Sequence, residues 1–268
     1  MSKGELVGQG RIAEVFAWGD EQVLKLFRDW CPADWVEYEA RIARAVQATG
    51  LRVPAVGEVI EVEGRWGIVY ERVEGRSMLE QLTNKPWTCV RLARTLAELH
   101  AVMHARAAPG LPPLRQRLEG KVQRAEPLST DLKEAALKAL AQLPDDDALC
   151  HGDFHPDNVQ MSARGPIVID WPDATRGHPL ADVARTSLLF GMGGLPPGTP
   201  RRWLFQALRA TFHAVYLRRY FQLRPGSREL LAAWQLPVAA ARLEEGIAEE
   251  EEQLLALLTS MMPGPNPV

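Results

Sequence analysis

The sequence predicts an α+β protein with a small antiparallel sheet near its N-terminus and a larger, mainly helical part after it. Residues 5–28 contain two or three short strand-like stretches, and residues 55–78 have the pattern of a hairpin. One helical stretch, residues 32–50, separates them, and helical periodicity dominates from residue 77 onwards. We therefore expect a small N-terminal lobe with one helix over residues 1–74 and a larger helical lobe over 75–262. Residues 263–268 should form a disordered tail.

The composition is that of an ordinary soluble globular protein. Apolar residues make up 46% and charged residues 24% of the 268 residues, and the formal net charge is -3, with no basic stripe for nucleic acid. Neither a signal peptide nor a run of roughly 18 apolar residues is recognisable. Cys31, Cys89 and Cys150 are far apart and typical of reduced cytosolic thiols. We expect a cytoplasmic protein with no nucleic acid, membrane or obligate protein partner.

The residues that could carry chemistry are concentrated between 150 and 170. Two short strand-like pieces flank the polar run HGDFHPDN, and Asp170 ends the second piece. Asn158 follows Asp153 by five residues and Asp170 comes a dozen residues later, which resembles the catalytic loop and metal-binding Asp of protein-kinase-like phosphotransferases. In that chemistry Asp153 would accept the proton of an attacking hydroxyl, and Asn158 and Asp170 would bind magnesium.

The same run has two other interpretations. It could be an ordinary polar turn, because Gly, Pro, Asp and Asn are turn formers. Alternatively, its alternating His and Asp side chains could be zinc ligands of a metallohydrolase. The zinc interpretation accounts neither for Asn158 nor for the motifs that precede the run. The four side chains concerned are His151, Asp153, His155 and Asp157.

Near the N-terminus, a glycine-containing turn precedes a strand that carries a lysine. Gly8 and Gly10, with Ala13 in place of a third glycine, resemble a phosphate-covering glycine-rich loop. Lys25 alternates with Leu24 and Leu26 in the next strand. A lone strand lysine is usually exposed, but in this context we expect Lys25 to hold the α- and β-phosphates of a nucleotide.

The helix after this strand should supply a carboxylate partner for Lys25. Asp34 is a candidate N-cap with Glu37 as its capping-box partner, whereas Glu39 shares the apolar face of the helix. Glu39 is therefore the expected partner. At the end of the hairpin, the carbonyl of Glu71 and the amide and carbonyl of Val73 are expected to contact adenine through backbone groups.

Further along the chain, two histidines and two charged faces have alternative interpretations. His100 and His104 lie one helical turn apart, which suits a metal pair, but without a zincin motif a helix-surface position is expected. A basic face and an acidic run point to opposite kinds of acceptor, unless they are solvated faces. The basic residues are Arg117, Lys121 and Arg124, and the acidic ones are Glu244, Glu245 and Glu249 to Glu252.

The interval between Asp170 and Asp182 is too short for an activation loop and a peptide-docking platform. Gly152 also occupies the place of the Arg that senses activation-loop phosphate in regulated protein kinases. Both features indicate that the acceptor is a small molecule rather than a protein.

Taken in order, the motifs GQGRIAEV, HGDFHPDN, VID and HPLADVAR, with Lys25 and Glu39, resemble the aminoglycoside phosphotransferase-like family over roughly residues 5–190. The resemblance implies a bilobal protein-kinase-like fold that transfers the γ-phosphoryl group of ATP, or GTP, to a hydroxyl with the help of Mg²⁺. It also implies that Asp182 is a buried anchor for the catalytic loop. The acceptor could be an aminoglycoside, an amino alcohol or a sugar. The alternative is a catalytically inactive kinase-like binding or regulatory protein.

Overall fold

The computed structural model describes residues 3–192 and 202–262, so the predicted disordered tail at 263–268 lies outside the described residues. Its ten strands are β1 Leu6–Gln9, β2 Ala13–Ala17, β3 Gln22–Phe27, β4 Val56–Val62, β5 Arg65–Glu71, β6 Arg76–Ser77, β7 Ala148–Cys150, β8 Val159–Ser162, β9 Gly165–Val168 and β10 Thr175–Gly177, all within the described residues. Its α-helices are α1 Ala33–Ala48, α2 Met78–Asn84, α3 Cys89–Met103, α4 Leu114–Arg124, α5 Thr130–Gln142, α6 Pro179–Met192, α7 Arg202–Leu223, α8 Arg228–Arg242 and α9 Ala248–Met261.

These elements form two compact units. The chain up to Thr83 and the later segment Pro156–Ala174 make up one, which we call the sheet unit. Asn84–His155 and the chain from Thr175 onwards make up the other, which we call the helical unit. The segment 156–174 carries Asn158 and Asp170, so the sheet unit contains two predicted site residues from the middle of the chain. The domain boundaries predicted from the sequence stay a prediction.

The sheet unit is built on five antiparallel strands in the order β1-β2-β3-β5-β4. Because side chains alternate along a strand, β3 directs Leu24 and Leu26 to one face and Lys25 and Phe27 to the other. The first face packs against Val69, Ile60 and neighbouring residues. The second face is covered by α1. Lys25 therefore lies on the side of the sheet that the helix covers.

Helix α1 packs through one stripe of buried residues spaced three and four apart: Val36, Glu39, Ala40, Ile42, Ala43 and Val46. Burying each large aliphatic side chain contributes roughly 1.5–3 kcal/mol. The helix begins at Ala33 with Pro32 as its N-cap, so the predicted N-cap at Asp34 is wrong and this residue lies in the first turn. Glu39 is nevertheless on the buried stripe, because burial follows helical period and not capping.

A second small sheet, β6-β8-β9, completes the sheet unit. Gly75 leads into β6 with φ +151°, and a Cβ added there would come within 2.5 Å of the carbonyl oxygen of Met161 in β8. Only glycine combines that backbone conformation with so close an approach. Gly75 therefore allows the chain that leaves β5 to approach β8, the strand that follows Asn158, closely.

The helical unit is organised around α3, which packs along α7, and α8, which packs against α4, α5, α6 and α9. Its largest fully buried side chains are Trp234, Tyr216, Tyr220, Phe154 and Phe212. The short β7 pairs antiparallel with β10. Asp153 lies in the loop that follows β7. Within the described parts of the chain, no helix has the length and apolarity that a membrane crossing requires.

We predict that Gly75→Ala destabilises the protein by about 1–3 kcal/mol, because the new Cβ adds both backbone strain and a clash with Met161. Urea unfolding measures the change. Gly191→Ala is the matched control, since a Cβ there has no neighbour within 4 Å. Equal unfolding free energies for Gly75→Ala and the unsubstituted chain would contradict the prediction.

Candidate functional site

Lys25 lies between two carboxylates within the sheet unit. Its Nζ donates to Glu39 Oε1 at 2.7 Å and to Asp170 Oδ1 at 2.8 Å. The hydroxyl of Tyr70 donates to the same Glu39 oxygen at 3.4 Å. Burial would lower the pKa of Lys25, but the charges of Asp170 and Glu39 outweigh it and hold its pKa above the ordinary value. Lys25 is therefore a fixed positive charge.

Asp170 is reached through an unusual backbone conformation. It follows β9 by two residues and has φ +63°, a left-handed value that costs a non-glycine residue energy. A neighbouring side chain supports this bend, because the indole Nε1 of Trp171 donates to the carbonyl of Val168 at 3.2 Å, across Asp170. Strain of this kind persists where the surrounding structure enforces it and is common at functional sites.

Asn158 is joined to the Asp170 segment through the backbone. It is buried, ends a short 3₁₀ helix at Pro156–Asn158, and its carbonyl accepts from the amide of Ile169 at 3.0 Å. The two residues predicted to bind a metal therefore belong to adjoining backbone segments of one unit. They offer an amide oxygen and a carboxylate, the oxygen donors that hard divalent cations prefer.

The remaining predicted nucleotide contacts also belong to the sheet unit. Gly8 lies in β1 and Gly10 follows it, where its amide donates to the carbonyl of Ala13 at 2.8 Å. Neither glycine has a positive φ. Glu71 ends β5, and its side chain accepts from Arg164 at 2.6 Å, which leaves its predicted role to backbone groups. Val73 lies two residues further on, between β5 and β6.

Asp153 lies in the helical unit, where its carboxylate contacts an arginine and a histidine. Arg185 Nη2 donates to Oδ1 at 3.3 Å, and His155 Nε2 lies 3.4 Å from Oδ2. Burial would raise the pKa of Asp153, but its hydrogen bond with His155 and the charge of Arg185 hold the pKa well below the usual range. Asp153 is consequently ionised at any physiological pH.

One turn of helix α6 holds the backbone of the loop that carries Asp153. The carboxylate of Asp182 accepts from the amides of His151 at 2.6 Å and Gly152 at 2.9 Å. Arg185 Nε donates to the carbonyl of Gly152 at 3.1 Å, and the hydroxyl of Thr186 donates to the carbonyl of Phe154 at 2.9 Å. These three α6 residues are spaced i, i+3 and i+4 and so share one helix face.

Gly152 is required by this loop for a conformational reason. Its φ is +82°, which a side chain would strain. An Arg at this place, as regulated protein kinases have, would therefore be strained in the conformation that this loop adopts. Arg185, by contrast, was not singled out from the sequence, although its position three residues after Asp182 on a predicted helix was a usable signal.

The helix-surface position expected for His100 and His104 is wrong. Both side chains are buried, and their Nε2 atoms lie 3.0 and 3.3 Å from Oδ2 of Asp182. The expectation failed because the partners, on α6 and α7, are about eighty and more than a hundred residues away along the chain. Among the described residues, His100, His104 and Asp182 form the group of possible metal ligands with atoms within 4.8 Å of one another.

Two residues of the acidic run, Glu244 and Glu245, pair with the basic face. Glu245 accepts from Arg185 at 2.8 Å, lies 3.4 Å from Lys121 Nζ and also accepts from Arg242. Arg124 donates to Glu244 at 3.0 Å, and Arg242 makes a two-fold contact with Glu250 at 2.8 and 2.9 Å. Glu249, Glu251 and Glu252 are exposed. Neither charge pattern therefore indicates the charge of an acceptor.

Comparison with known proteins settles the family. The phosphotransferase enzyme family matches residues 3–234 of the chain. The chain belongs to the phosphotransferase enzyme family. The resemblance inferred from the sequence motifs is thus confirmed at the level of the family.

Solved structures of other phosphotransferases share the fold. A thermostable mutant of aminoglycoside phosphotransferase APH(4)-Ia in its apo form is 21% identical, with a TM-score of 0.62 over 97% of this chain and 95% of that one. Its ternary complex with AMP-PNP and hygromycin B has a TM-score of 0.65 at 19% identity, over 98% and 96% of the two chains. Amicoumacin kinase hAmiN, in complex with AMP-PNP, Ca²⁺ and Ami, has 0.61 at 16% identity, over 96% and 86%. The predicted α+β, protein-kinase-like fold is confirmed.

Curated relatives match over shorter segments. Acyl-CoA dehydrogenase family member 11 from Gallus gallus is 54% identical over 46 residues, 15% of this chain and 6% of that protein. The Rattus norvegicus protein of the same name is 25% identical over 179 residues, 58% of this chain and 23% of that protein. The chain therefore spans less than a quarter of the length of these relatives.

In this member of the phosphotransferase enzyme family, we predict that stability falls on mild acidification because of His104. Burial lowers the pKa of His104 to about 3. An unfolded histidine has a pKa of roughly 6.5, so between these values the unfolded state binds more protons and stability is lost as the pH falls. The loss due to His104 should be about 2 kcal/mol at pH 5.

Urea unfolding at pH 7.5 and pH 5 measures this loss, and His104→Gln is the control because glutamine does not titrate. The variant should lose less stability than the unsubstituted chain over the same interval. An identical pH dependence for both chains would mean that His104 is accessible to protons in the folded state.

Proposed function

We propose that this chain transfers the γ-phosphoryl group of ATP, or of GTP, to a hydroxyl group of a small molecule with the help of Mg²⁺. The observation that carries the proposal is the contact of Lys25 with both Glu39 and Asp170. A lysine in such an arrangement supplies a fixed positive charge for the α- and β-phosphates, as the corresponding lysine of protein kinases does. Glu39 keeps the ammonium in place and Asp170 joins it to the metal-binding segment.

The nucleotide would be held mainly by the sheet unit. Backbone groups of Glu71 and Val73 would recognise adenine, and the segment containing Gly8 and Gly10 would cover the phosphates. Two similar structures contain AMP-PNP, which supports a nucleotide as the phosphoryl donor. Nothing in these backbone contacts distinguishes ATP from GTP.

The residues present fit a divalent cation. Asn158 and Asp170 offer one neutral and one charged oxygen, and the left-handed backbone at Asp170 is the kind of strain found where a side chain must be aimed. When bound, Mg²⁺ would neutralise negative charge on the nucleotide phosphates. The amicoumacin kinase structure contains Ca²⁺, another hard cation that prefers oxygen ligands.

Asp153 would orient the acceptor hydroxyl and take its proton. Because its pKa is low, Asp153 is ionised and therefore ready to accept a hydrogen bond, but it is a weak proton acceptor. Its first task is then orientation. The proton passes to it as the bond from the acceptor oxygen to the γ-phosphorus forms and the bond from that phosphorus to the leaving nucleoside diphosphate breaks. Arg185 and His155 hold the carboxylate in one direction for this purpose.

The acceptor is proposed to be an aminoglycoside antibiotic, an amino alcohol or a sugar. Similar structures contain hygromycin B or Ami, both of them small molecules rather than proteins. A cytoplasmic location, and the absence of nucleic-acid, membrane and obligate protein partners, are parts of the same proposal. Magnesium-dependent ATP consumption in the presence of aminoglycosides, choline, homoserine or sugars tests it. The absence of turnover with every acceptor and both nucleotides would favour the inactive binding protein.

We predict that Asp153→Asn lowers kcat by about 10²–10⁴-fold, because asparagine can be positioned but cannot accept the proton. Steady-state kinetics with the best acceptor measure the change. Asp157→Asn is the matched control, since Asp157 is an exposed carboxylate of the same short segment. If Asp153→Asn kept full turnover, Asp153 would not be the base.

We predict that Lys25→Met lowers kcat/KM for ATP by about 10- to 100-fold, the loss expected for hydrogen bonds to charged groups. The substitution should weaken the interaction with the nucleotide and not with the acceptor, so KM for the acceptor should change little. Lys85→Met, which removes an exposed lysine, serves as the control. Equal kinetic constants for the two variants would remove the role assigned to Lys25.

A further inference from the structure

The helical unit contains a buried polar cluster whose tyrosines the phosphoryl-transfer mechanism does not use. His100 is in the last turn of α3 and His104 directly follows it. Tyr216 and Tyr220, one turn apart on α7, are likewise buried. His100 Nδ1 lies 2.6 Å from the Tyr216 hydroxyl and His104 Nδ1 lies 2.7 Å from the Tyr220 hydroxyl. Each histidine thus lies between a tyrosine and the shared carboxylate of Asp182.

Asp182 sets the direction of every hydrogen bond in the cluster. The hydrogen bonds from His100 and His104 outweigh burial and hold the pKa of Asp182 well below its usual value, so the carboxylate is ionised and can only accept. Its Oδ2 faces the Nε2 atoms of both histidines as well as the amide of His151. Both Nε2 atoms must therefore carry the proton.

Burial keeps His104 neutral, and a neutral imidazole protonated on Nε2 has a bare Nδ1, which can only accept. The phenol facing Nδ1 of His104 must then donate, and the same direction holds for Tyr216 where His100 is neutral. Burial raises the pKa of Tyr216 and of Tyr220, so both hydroxyl groups keep the protons that they need for this. Each row of groups accordingly has one consistent direction, from tyrosine hydroxyl to histidine to Asp182.

We propose that the Tyr216 and Tyr220 hydroxyl groups are positioning groups for the catalytic loop. By donating to Nδ1, they hold His100 and His104 in the tautomer that donates from Nε2 to Asp182. Asp182 in turn fixes the amides of the two residues immediately before Asp153. The inference rests on the role proposed for Asp153.

The tautomer matters because the two forms of histidine act on Asp182 with opposite sign. Without a donor at Nδ1, an imidazole can move its proton to that nitrogen. Its Nε2 lone pair would then face the carboxylate, which replaces an attractive contact by a repulsive one. The carboxylate would shift away from the histidine, and the amides of His151 and Gly152 would follow or lose their acceptor.

The same three groups could be taken for a metal site, since their ligand atoms lie within 4.8 Å of one another. A cation there would need both Nε2 atoms without protons. The direction of the hydrogen bonds would then reverse, with each Nδ1–H donating to its tyrosine. The two arrangements therefore differ in an observable way.

The test compares Tyr216→Phe, Tyr220→Phe and the double variant with the unsubstituted chain. Nitrogen-15 spectra of labelled histidines report the tautomers directly. We expect the signals assigned to His100 and His104 to show protonation on Nε2, and a change towards the Nδ1 form at His100 or His104 in the matching variant. Spectra that show the Nδ1 form of either residue in the unsubstituted chain, or signals of these residues that change on addition of EDTA or Zn²⁺, would overturn the inference.

Steady-state kinetics and amide hydrogen exchange measure whether the loop before Asp153 is held less firmly in these variants. The double variant should lose about tenfold or more in kcat, with KM for ATP nearly unchanged, because one hydrogen bond in a buried network is worth about that factor. Hydrogen exchange at the amides of residues 151 and 152 should accelerate. Tyr38→Phe on α1, outside the cluster, should have no effect on either quantity. A tautomer change without either effect would overturn the positioning role.

A double-mutant cycle separates positioning from a general loss of stability. Glutamine can donate from Nε2 without a tautomer to fix, so Tyr220→Phe should lower kcat less in the His104→Gln background than alone. Phe212→Leu, which removes only apolar contacts from α7, should lower stability without lowering kcat. Equal effects of Tyr220→Phe in both backgrounds would overturn the inference.

Failure of the inference and failure of the proposed function give different results. The spectra and the amide exchange require no turnover, so they decide the tautomer hypothesis even in a chain that does not hydrolyse or transfer phosphate. Conversely, normal turnover with unaltered spectra in the phenylalanine variants would reject the hypothesis and leave the proposed kinase activity intact.

Discussion

Burial of a single carboxylate, that of Asp182, is the constraint on which the helical unit depends. An ionised carboxylate taken out of water is costly unless donors surround it, and here two backbone amides and two imidazoles do so. Its position in the first turn of α6 adds the favourable end of the helix dipole. The carboxylate thereby couples a loop of irregular backbone to two long helices. An irregular loop alone could not hold a reactive side chain in one direction.

The sheet unit also compensates a buried charge with polar contacts, but this charge is positive. Lys25 is surrounded by carboxylates, one from a helix and one from a strained turn, so that the ammonium stays charged in a partly buried place. In both units several polar contacts compensate a buried charge. The two carboxylates differ in exposure, because Asp182 is fully enclosed, whereas the carboxylate of Asp170 is 44% exposed.

Charge patterns of the C-terminal helices illustrate why composition is a weak guide to a substrate. Glu244 and Glu245 looked like an attraction for cations, and the basic face of α4 looked like an attraction for anions. In the fold these side chains face each other, and Glu245 in addition contacts Arg185, which donates to Asp153. The network is therefore joined to the loop that carries Asp153. It leaves the acceptor to be defined by experiment.

The sequence by itself determined the fold class, the family, and the residue types and spacings around Asp153, because hydrophobic period and short motifs are local properties of a chain. It also indicated Glu39, since a helical face can be read from three- and four-residue spacing. Only the tertiary structure decided that His100 and His104 are buried, that Tyr216 and Tyr220 lie within hydrogen-bond distance of them, and that Arg185 contacts Asp153. Those contacts join residues 32 to 116 positions apart, and no periodicity encodes which distant helix faces pack together.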